Sequence, residues 1–173
     1  MKESTVTFAG YHRPDGQVGV RNLVGILSTV TCANQAAEEI ARHVPGSAVF
    51  THQQGCGLLQ NDLELVERTL INLGRNPNLG AVLVVSLGCE GVDAKRISEG
   101  IAASGKHVEL VVIQQGGGYF AGVAYAGLKA QQLALEVSHL RRQPTEIGKL
   151  RLGIKCGASD PTSGLASNPA VGK

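Results

Sequence analysis

Cysteine, histidine and carboxylate side chains recur in this sequence at positions where they could act together. The four cysteines are widely spaced and form no CxxC pair: Cys32, Cys56, Cys89 and Cys156. His52 precedes Cys56 by four residues, a spacing that suits two metal ligands across a turn. Glu90 directly follows Cys89, and Asp160 stands shortly after Cys156. In a reducing compartment this spacing favours free thiols or metal ligands over a disulfide framework.

Each of these residues also has an ordinary structural interpretation, which stays open at this point. A free cysteine is commonly a small buried hydrophobic residue, and Cys32 opens a predicted helix, where a thiol packs easily or ionises more readily. A histidine that follows a strand, such as His52, is commonly held by hydrogen bonds. Glu90 is costly to bury unless a cation meets it. Asp160 and Ser159 could simply stabilise a turn.

The donor atoms of these side chains limit which ion or cofactor they could bind. Thiolate, imidazole and carboxylate together suit Zn²⁺ or Fe²⁺ far better than Mg²⁺ or Ca²⁺. An Fe–S cluster is an alternative, although the close cysteine spacing typical of clusters is missing. Neither GxGxxG nor GxxxxGK[ST] occurs in the sequence, which argues against a nucleotide site and an NAD enzyme. The glycines at 116–118 could admit a carboxylate or phosphate where the next helix begins.

The elements that must position these side chains alternate along the chain. Five short apolar runs, read as near-continuous, predict strands buried on both faces of a parallel sheet, at 23–28, 48–51, 81–86, 108–113 and 150–155. Helical patterns follow the first four runs, at 34–44, 62–73, 93–104 and 121–142, with Asp62 and Asp93 as predicted N-caps. The alternation predicts a doubly wound, mostly parallel five-stranded α/β sheet with helices on both faces, a Rossmann-like or flavodoxin-like three-layer fold.

The predicted fold brings the candidate residues to one place. Ligands of open parallel sheets bind outside the carboxyl ends of the strands, and every cysteine falls in a segment that directly follows a predicted strand. The chain outside the α/β domain (23–156) is less regular. Residues 1–22 read as a polar segment with a turn at 14–16, and residues 157–173 as a Gly/Ser-rich loop.

The composition excludes several classes of protein. The 173 residues carry a net charge of +2, no Trp and only 3% aromatic residues, which argues against nucleic-acid binding and base stacking. No apolar run is long enough for a signal peptide or a membrane span, so we expect a cytoplasmic protein without a membrane partner. The 23 glycines predict tight turns and close approaches of the backbone.

Several motifs in order resemble the altronate/galactarate dehydratase family of sugar-acid hydro-lyases. They are GYHRPDGQVGVRN at 10–22, TCAN at 31–34, HQQGCG at 52–57, NPNLGAVLVVSLGCE at 76–90 and KCGASDPTSGLASNPAVG at 155–172. That family includes altronate dehydratase, galactarate dehydratase and the large subunit of sulfolactate sulfo-lyase. The resemblance runs from about residue 8 to the last residue. Ala158 and Pro161 stand where the family tends to have glycine, and 165–167 replaces a more usual Ile-Thr-Ala.

The resemblance implies a metal-dependent elimination of water from a sugar acid such as altronate or galactarate, giving a 2-keto-3-deoxy acid. Fe²⁺ is the implied metal, with Mn²⁺ or Zn²⁺ as alternatives, and its expected ligands are His52, Cys56, Cys89 and Cys156. The expected catalytic groups are Glu90, Asp160 and His52. The expected substrate-binding residues are Arg13, Arg21, Asn34, Gln53 and Ser159, although the two arginines could equally form surface ion pairs.

The resemblance also implies a larger assembly. Larger family members have a small N-terminal domain before the first motif and a further C-terminal domain after the last one. We therefore expect the first half of a longer catalytic polypeptide, with a small companion subunit, and a homo-oligomer. The alternatives are a sulfolactate sulfo-lyase-type C–S lyase, a non-catalytic assembly module and an Fe–S domain.

Overall fold

The structure, a computed structural model, describes residues 6–155, 157 and 160–173. Seven strands and five helices lie within these residues. In chain order they are β1 (Thr7–His12), β2 (Val18–Gly19), β3 (Leu23–Ser28), α1 (Asn34–Arg42), β4 (Ser47–Phe50), α2 (Gln60–Gly74), β5 (Leu79–Ser86), α3 (Ala94–Ala102), β6 (His107–Val112), α4 (Tyr119–Ser138), β7 (Gln143–Glu146) and α5 (Asn168–Gly172). No helix in the described ranges combines the length and the apolar character needed to cross a bilayer.

Four parallel strands in the order β4-β3-β5-β6 form the central sheet. Their residues are almost all apolar because helices cover both faces. Leu83 packs with α1 and α4 on one face, whereas Val82 and Val84 pack with α2 and α3 on the other. The prediction of a doubly wound, three-layer α/β arrangement is confirmed for these four strands.

The helices begin and end close to the predicted positions. Asp93 is the N-cap of α3, because its Oδ1 accepts a hydrogen bond from Arg96 N at 3.0 Å. The predicted N-cap at Asp62 is wrong. α2 begins at Gln60, with Leu59 at the cap position, so Asp62 lies in the first turn. There its carboxylate is still favoured by the positive end of the helix dipole.

The fifth predicted strand, at 150–155, is also wrong. A 3₁₀ turn at Ile147–Lys149 precedes this segment, and its residues are exposed and belong to no helix or strand. The chain leaves α4 for β7, which pairs antiparallel with β1 instead of returning beside β6. Apolar and polar residues alternate in the segment, as in a strand with one exposed face rather than two buried ones. The parallel sheet therefore has four strands.

Two strands, β1 and β2, lie within residues 1–22, where the sequence predicted a polar segment. β1 pairs antiparallel with β2 and with β7, which gives a second, three-stranded sheet. The turn predicted at 14–16 is confirmed, because Gly16 N donates to Arg13 O at 3.0 Å and Gly16 adopts a φ of +80°. This small sheet lies at the edge of the central sheet where the parallel strands begin, called here the amino edge.

Arg13 fixes the small sheet to the amino edge through hydrogen bonds called here the Arg13 clamp. Its side chain is buried, and its guanidinium donates to Pro77 O at 2.7 Å, to Asn22 Oδ1 at 2.9 Å and to Arg21 O at 3.0 Å. Asn22 in turn donates to Val137 O at 2.6 Å, near the end of α4. One buried cation thus connects β1, the segment before β3 and the segment before β5.

Lys106 is a second buried cation at the amino edge. Its Nζ donates to Gly74 O at 3.1 Å and to Asn76 O at 2.7 Å, where α2 ends. Burial, and then the charge of Arg13, lower the pKa of Lys106 from 10.5 to about 8, against the opposite effect of Asp15. The unfolded chain therefore binds more protons than the folded protein between these two pH values.

We expect the stability of the protein to rise with pH between about 8 and 10.5, relative to the Lys106→Met variant. The folded pKa is the lower one, so folding becomes easier as the lysine deprotonates, with a slope of at most about 1.4 kcal/mol per pH unit. Urea unfolding of both proteins at several pH values measures the difference. The prediction is contradicted if the free energies of unfolding of the two proteins change with pH by the same amount.

Candidate functional site

Four loops meet at the opposite edge, where the parallel strands end, called here the carboxyl edge. We name them after the strands that they follow: the β3 loop (29–33), the β4 loop (51–59), the β5 loop (87–93) and the β6 loop (113–118). Helices α1 to α4 all begin at this edge. In open parallel sheets this is where ligands bind, most often at the point between strands whose crossovers diverge, here β3 and β5.

Backbone hydrogen bonds connect the four loops directly. Each loop contacts the next through at least one of three bonds: Thr31 N to Gln54 O at 3.1 Å, Gly91 N to Gly55 O at 2.9 Å, and Gln114 N to Leu87 O at 3.1 Å. These connections span the sheet from its first edge strand to its last. The loops therefore form one continuous surface.

Glu90 joins the β3 and β5 loops through its carboxylate. Thr29 Oγ1 donates to Glu90 Oε1 and Gly88 N donates to Glu90 Oε2, both at 2.6 Å. Burial alone would raise the pKa of Glu90, but hydrogen bonds from Ser86, Thr29 and the Gly88 amide favour the charged form and bring the pKa below its ordinary value. Hydrogen-bond donors thus compensate for the burial of the Glu90 carboxylate, a role that the sequence analysis gave to a cation.

His52 is held by hydrogen bonds at both ring nitrogens. Nε2 lies 3.0 Å from Ser28 O, and Gln54 N donates to Nδ1 at 3.1 Å. This pair of partners assigns the proton to Nε2 and makes the ring neutral. Asn34 Nδ2 donates to His52 O at 2.7 Å, while Asn34 Oδ1 is buried without a hydrogen-bond partner among the described residues. A metal ion or a proton could reach the ring only after one of these bonds opens.

Three of the predicted metal-binding residues share the carboxyl edge without forming a cluster. His52 is half-buried, and Cys56 and Cys89 are exposed and free, as is Cys32 in the β3 loop. Within the described residues, no three His, Cys, Asp or Glu side chains are arranged to hold a metal ion. The fourth predicted ligand, Cys156, lies outside those residues.

The structure does not bring Asp160 to this edge. Its carboxylate accepts hydrogen bonds from Thr162, from the backbone N at 2.8 Å and from the hydroxyl, and these lower the pKa of Asp160. No hydrogen bond or ion pair links 160–173 to the rest of the described chain. Ser159 lies outside the described residues, so its expected contact with substrate stays a prediction.

The predicted substrate-binding residues divide between the two edges. Asn34 and Gln53 lie at the carboxyl edge, and Gln53 is exposed. Arg13 and Arg21 lie at the amino edge, where the Arg13 guanidinium already has three acceptors. We therefore leave both arginines out of the site that we propose.

Sequence reasoning missed the residues that hold the edge together. Thr29 and Ser86 are buried and bond Glu90, and each stands at the end of a buried strand, which is the signal that could have found them. Gly55 has a φ of +103°, and a Cβ there would lie 2.5 Å from Thr29 O. Only glycine lets the β4 loop approach the β3 loop this closely.

A groove of about 560 Å³ runs between the β4 loop and α2. Its lining is mostly apolar, with Phe50, Leu58 and Leu65 among the residues that form it. A polyhydroxy acid would lose more hydrogen bonds to water there than the few polar side chains of the lining could replace. The groove is therefore not the part of the edge that suits a sugar acid.

Replacing Gly55 by Ala should destabilise the protein more than replacing Gly57 by Ala. Both residues have positive φ, +103° and +69°, but only at Gly55 would a Cβ meet neighbouring backbone. We expect Gly55→Ala to cost at least about 1 kcal/mol more than Gly57→Ala, since the two loops must separate. Chemical denaturation of the two variants measures this, and equal losses would contradict the close approach.

The stability that Glu90 contributes should depend on pH in the acid range. Its folded pKa lies below the ordinary value of 4.5, so the contribution is complete above that pH and is lost as the pH falls through the folded pKa. At pH 7 the unaltered protein should have a larger free energy of unfolding than the Glu90→Gln variant. This difference should become smaller below about pH 4.5. Glu64→Gln, at an exposed position of α2, is the control, and a gap that is constant with pH would refute the role.

Two family models match this chain. The family model described as D-galactarate dehydratase/Altronate hydrolase, second domain, matches residues 10–138. A second model, described as D-galactarate/Altronate dehydratase, C-terminal, matches residues 147–173. The first match includes the second half of β1, the whole parallel sheet and all four loops of the carboxyl edge.

Individual relatives agree with both models. The chain is 40% identical to (2R)-sulfolactate sulfo-lyase subunit beta of Chromohalobacter salexigens, over 96% of the chain and 42% of that protein. It is 34% identical to altronate dehydratase of Escherichia coli K12, over 94% of the chain and 34% of the relative. Galactarate dehydratase (L-threo-forming) of the same organism is 31% identical over 96% of the chain and 36% of its own length.

The chain thus spans between a third and a half of the length of these curated relatives. The resemblance inferred from the motifs is confirmed by a family model that covers most of the chain, from the Arg13 clamp to the end of α4. The chain belongs to the galactarate/altronate dehydratase family.

Proposed function

We propose that this chain is part of a lyase that eliminates water from a sugar acid such as altronate or galactarate to give a 2-keto-3-deoxy acid. The observation that carries the proposal is the family match over residues 10–138, which includes the four connected loops of the carboxyl edge. A sulfolactate sulfo-lyase-type C–S lyase is the second candidate, favoured by the 40% identity to a subunit of such an enzyme.

Both candidate reactions share their first chemical problem. A base removes the proton from the carbon next to the carboxylate, and a leaving group departs from the following carbon, as water in one reaction and as sulfite in the other. The resulting enol becomes a 2-keto acid when a proton returns to carbon. The protein must therefore hold a carboxylate and its neighbouring hydroxyl group while negative charge develops.

The carboxyl edge offers amide groups for a polyhydroxy acid. Four exposed glutamines lie on two of its loops: Gln53, Gln54, Gln114 and Gln115. Each amide can donate and accept hydrogen bonds, as hydroxyl groups require. We propose that Gln53 and Gln115, whose side chains have no hydrogen-bond partner within the described part of the chain, bind substrate hydroxyls.

The three expected catalytic residues have different roles in this proposal. Glu90 positions the β3 and β5 loops and donates no proton, because its hydrogen bonds stabilise the ionised form. His52 accepts a proton only after the Gln54 amide releases Nδ1. Asp160 takes part only if 160–173 comes to the carboxyl edge.

Iron binding stays a proposal that rests on the family resemblance and on the chemistry of the donor atoms. A bound Fe²⁺, or Mn²⁺ or Zn²⁺ in its place, would act as a Lewis acid toward the substrate carboxylate. The described residues do not assemble a set of ligands for it, since His52 is engaged at both nitrogens. We therefore derive no step through the metal. A small companion subunit and a cytoplasmic location are likewise proposals, the former supported by the name of the sulfo-lyase subunit.

Calorimetric titration of the chain with altronate, galactarate and sulfolactate tests the proposal, with and without anaerobic Fe²⁺. We expect one of these acids to bind, and Gln53→Ala and Gln115→Ala each to weaken its binding by roughly 2- to 10-fold, the usual value of one hydrogen bond. Gln132→Ala, at an exposed position of α4, is the matched control.

The products distinguish the two lyase candidates. Nuclear magnetic resonance of each mixture detects a 2-keto-3-deoxy acid from a sugar acid, whereas sulfolactate releases sulfite. If no acid binds, or if the glutamine variants bind as well as the control, the substrate site does not lie at this edge.

A further inference from the structure

Helix α4 has two apolar faces, of which the described residues of the chain cover only one. Val123, Ala126 and Leu133 are buried against the sheet. The outward face carries a stripe of six residues, called here the α4 stripe: Phe120, Ala124, Gly127, Leu128, Gln131 and Leu135. Phe120 is 84% exposed, Leu128 60% and Leu135 66%. A helix that is apolar on opposite faces is usually covered on both.

No contact with another described residue explains why Gly127 stands in the middle of this helix. A Cβ added there would meet no atom within 4 Å. A glycine in a helix interior costs roughly 0.5–1 kcal/mol relative to Ala. Since no described residue of the chain occupies the space beside Gly127, the missing side chain leaves that space open to another molecule.

A shallow groove of about 310 Å³ surrounds this glycine, between α1 and α4. Ala124 and Gly127 line it together with Leu128, and Glu39 and His43 of α1 line its other side. The Glu39 carboxylate already accepts a hydrogen bond from the Tyr119 hydroxyl at 2.9 Å. The groove is wide enough for a single large apolar side chain.

We propose that the α4 stripe, in which Gln131 is the one polar side chain, is the interface with a second copy of this chain, paired antiparallel about a two-fold axis at Gly127 and Leu128. The successive spacings within the stripe are 4, 3, 1, 3 and 4 residues, which read the same in both directions. Phe120 of one copy therefore lies opposite Leu135 of the other. Leu128 of each copy lies over Gly127 of the other and enters its groove. This interface does not depend on the proposed lyase function.

The area and the charge of the stripe both suit a copy of the same chain. Its three large side chains and the half-exposed Tyr125 beside it present about 500 Å² of apolar surface, taking roughly 200 Å² for each fully exposed side chain. Two copies together bury about 1,000 Å², near the lower limit for a specific interface. The stripe contains no charged residue, so no like charges of the stripe itself meet across the two-fold axis.

Sedimentation analysis of the 173-residue chain over a range of micromolar concentrations tests this interface. We expect the protein to reach twice the monomer mass of 18.0 kDa, and Leu128→Lys to remain at the monomer mass throughout. Leu65→Lys is the matched control, because Leu65 is 51% exposed on α2 and lines the other apolar groove. It should dimerise like the unaltered protein.

Gly127→Leu separates association from folding. Open space around Gly127 lets the monomer accept the larger side chain, and leucine favours the helix, so the thermal midpoint of the monomer should stay or rise. Dimerisation should nevertheless be lost, since the groove is filled. A chain that stays monomeric at every concentration overturns the proposal. So does a dimer that survives both α4 variants, or one that only Leu65→Lys dissociates.

Discussion

The parallel arrangement of four strands is the constraint on which the rest of this structure depends. Parallel neighbours need a crossover, and each crossover here is a helix that returns the chain from the carboxyl edge to the amino edge. All loops after strands therefore meet at one edge, and all segments before strands meet at the other. The candidate site and the Arg13 clamp are the two results of this single requirement.

Hydrogen bonds compensate the buried charges at both edges of the sheet in similar ways. At the amino edge, backbone carbonyls surround Arg13 and Lys106. At the carboxyl edge, hydroxyl and amide donors surround Glu90. In neither place does a side chain of opposite charge provide the main compensation. Main-chain carbonyl and amide groups, together with the uncharged side chains of Asn22, Thr29 and Ser86, serve instead, which makes these charges part of the fold.

The central sheet was predictable because four apolar runs and the helical patterns between them carry strong local signals. The strands β1 and β7 were not, since their sequences contain His, Gly and Pro and they pair with each other across more than 130 residues. The strand β2 is only two residues long, too short for a local pattern. Reading 150–155 as near-continuous hid its alternating pattern. The positions of the site loops followed from the topology, but the partners of His52 and Glu90 depend on how neighbouring loops pack, which no local pattern encodes.

The position of the Arg13 clamp determines how far the last part of the chain must extend to reach the candidate site. Residues 147–173 start where Arg13 and β7 lie, whereas His52 and Glu90 lie at the far end of the strands, about 26 Å away for a strand as long as β5. The 14 residues from Glu146 to Asp160 extend to roughly 46–50 Å. A span of that length is enough to bring Asp160 from the amino edge around the outside of the sheet to the carboxyl edge.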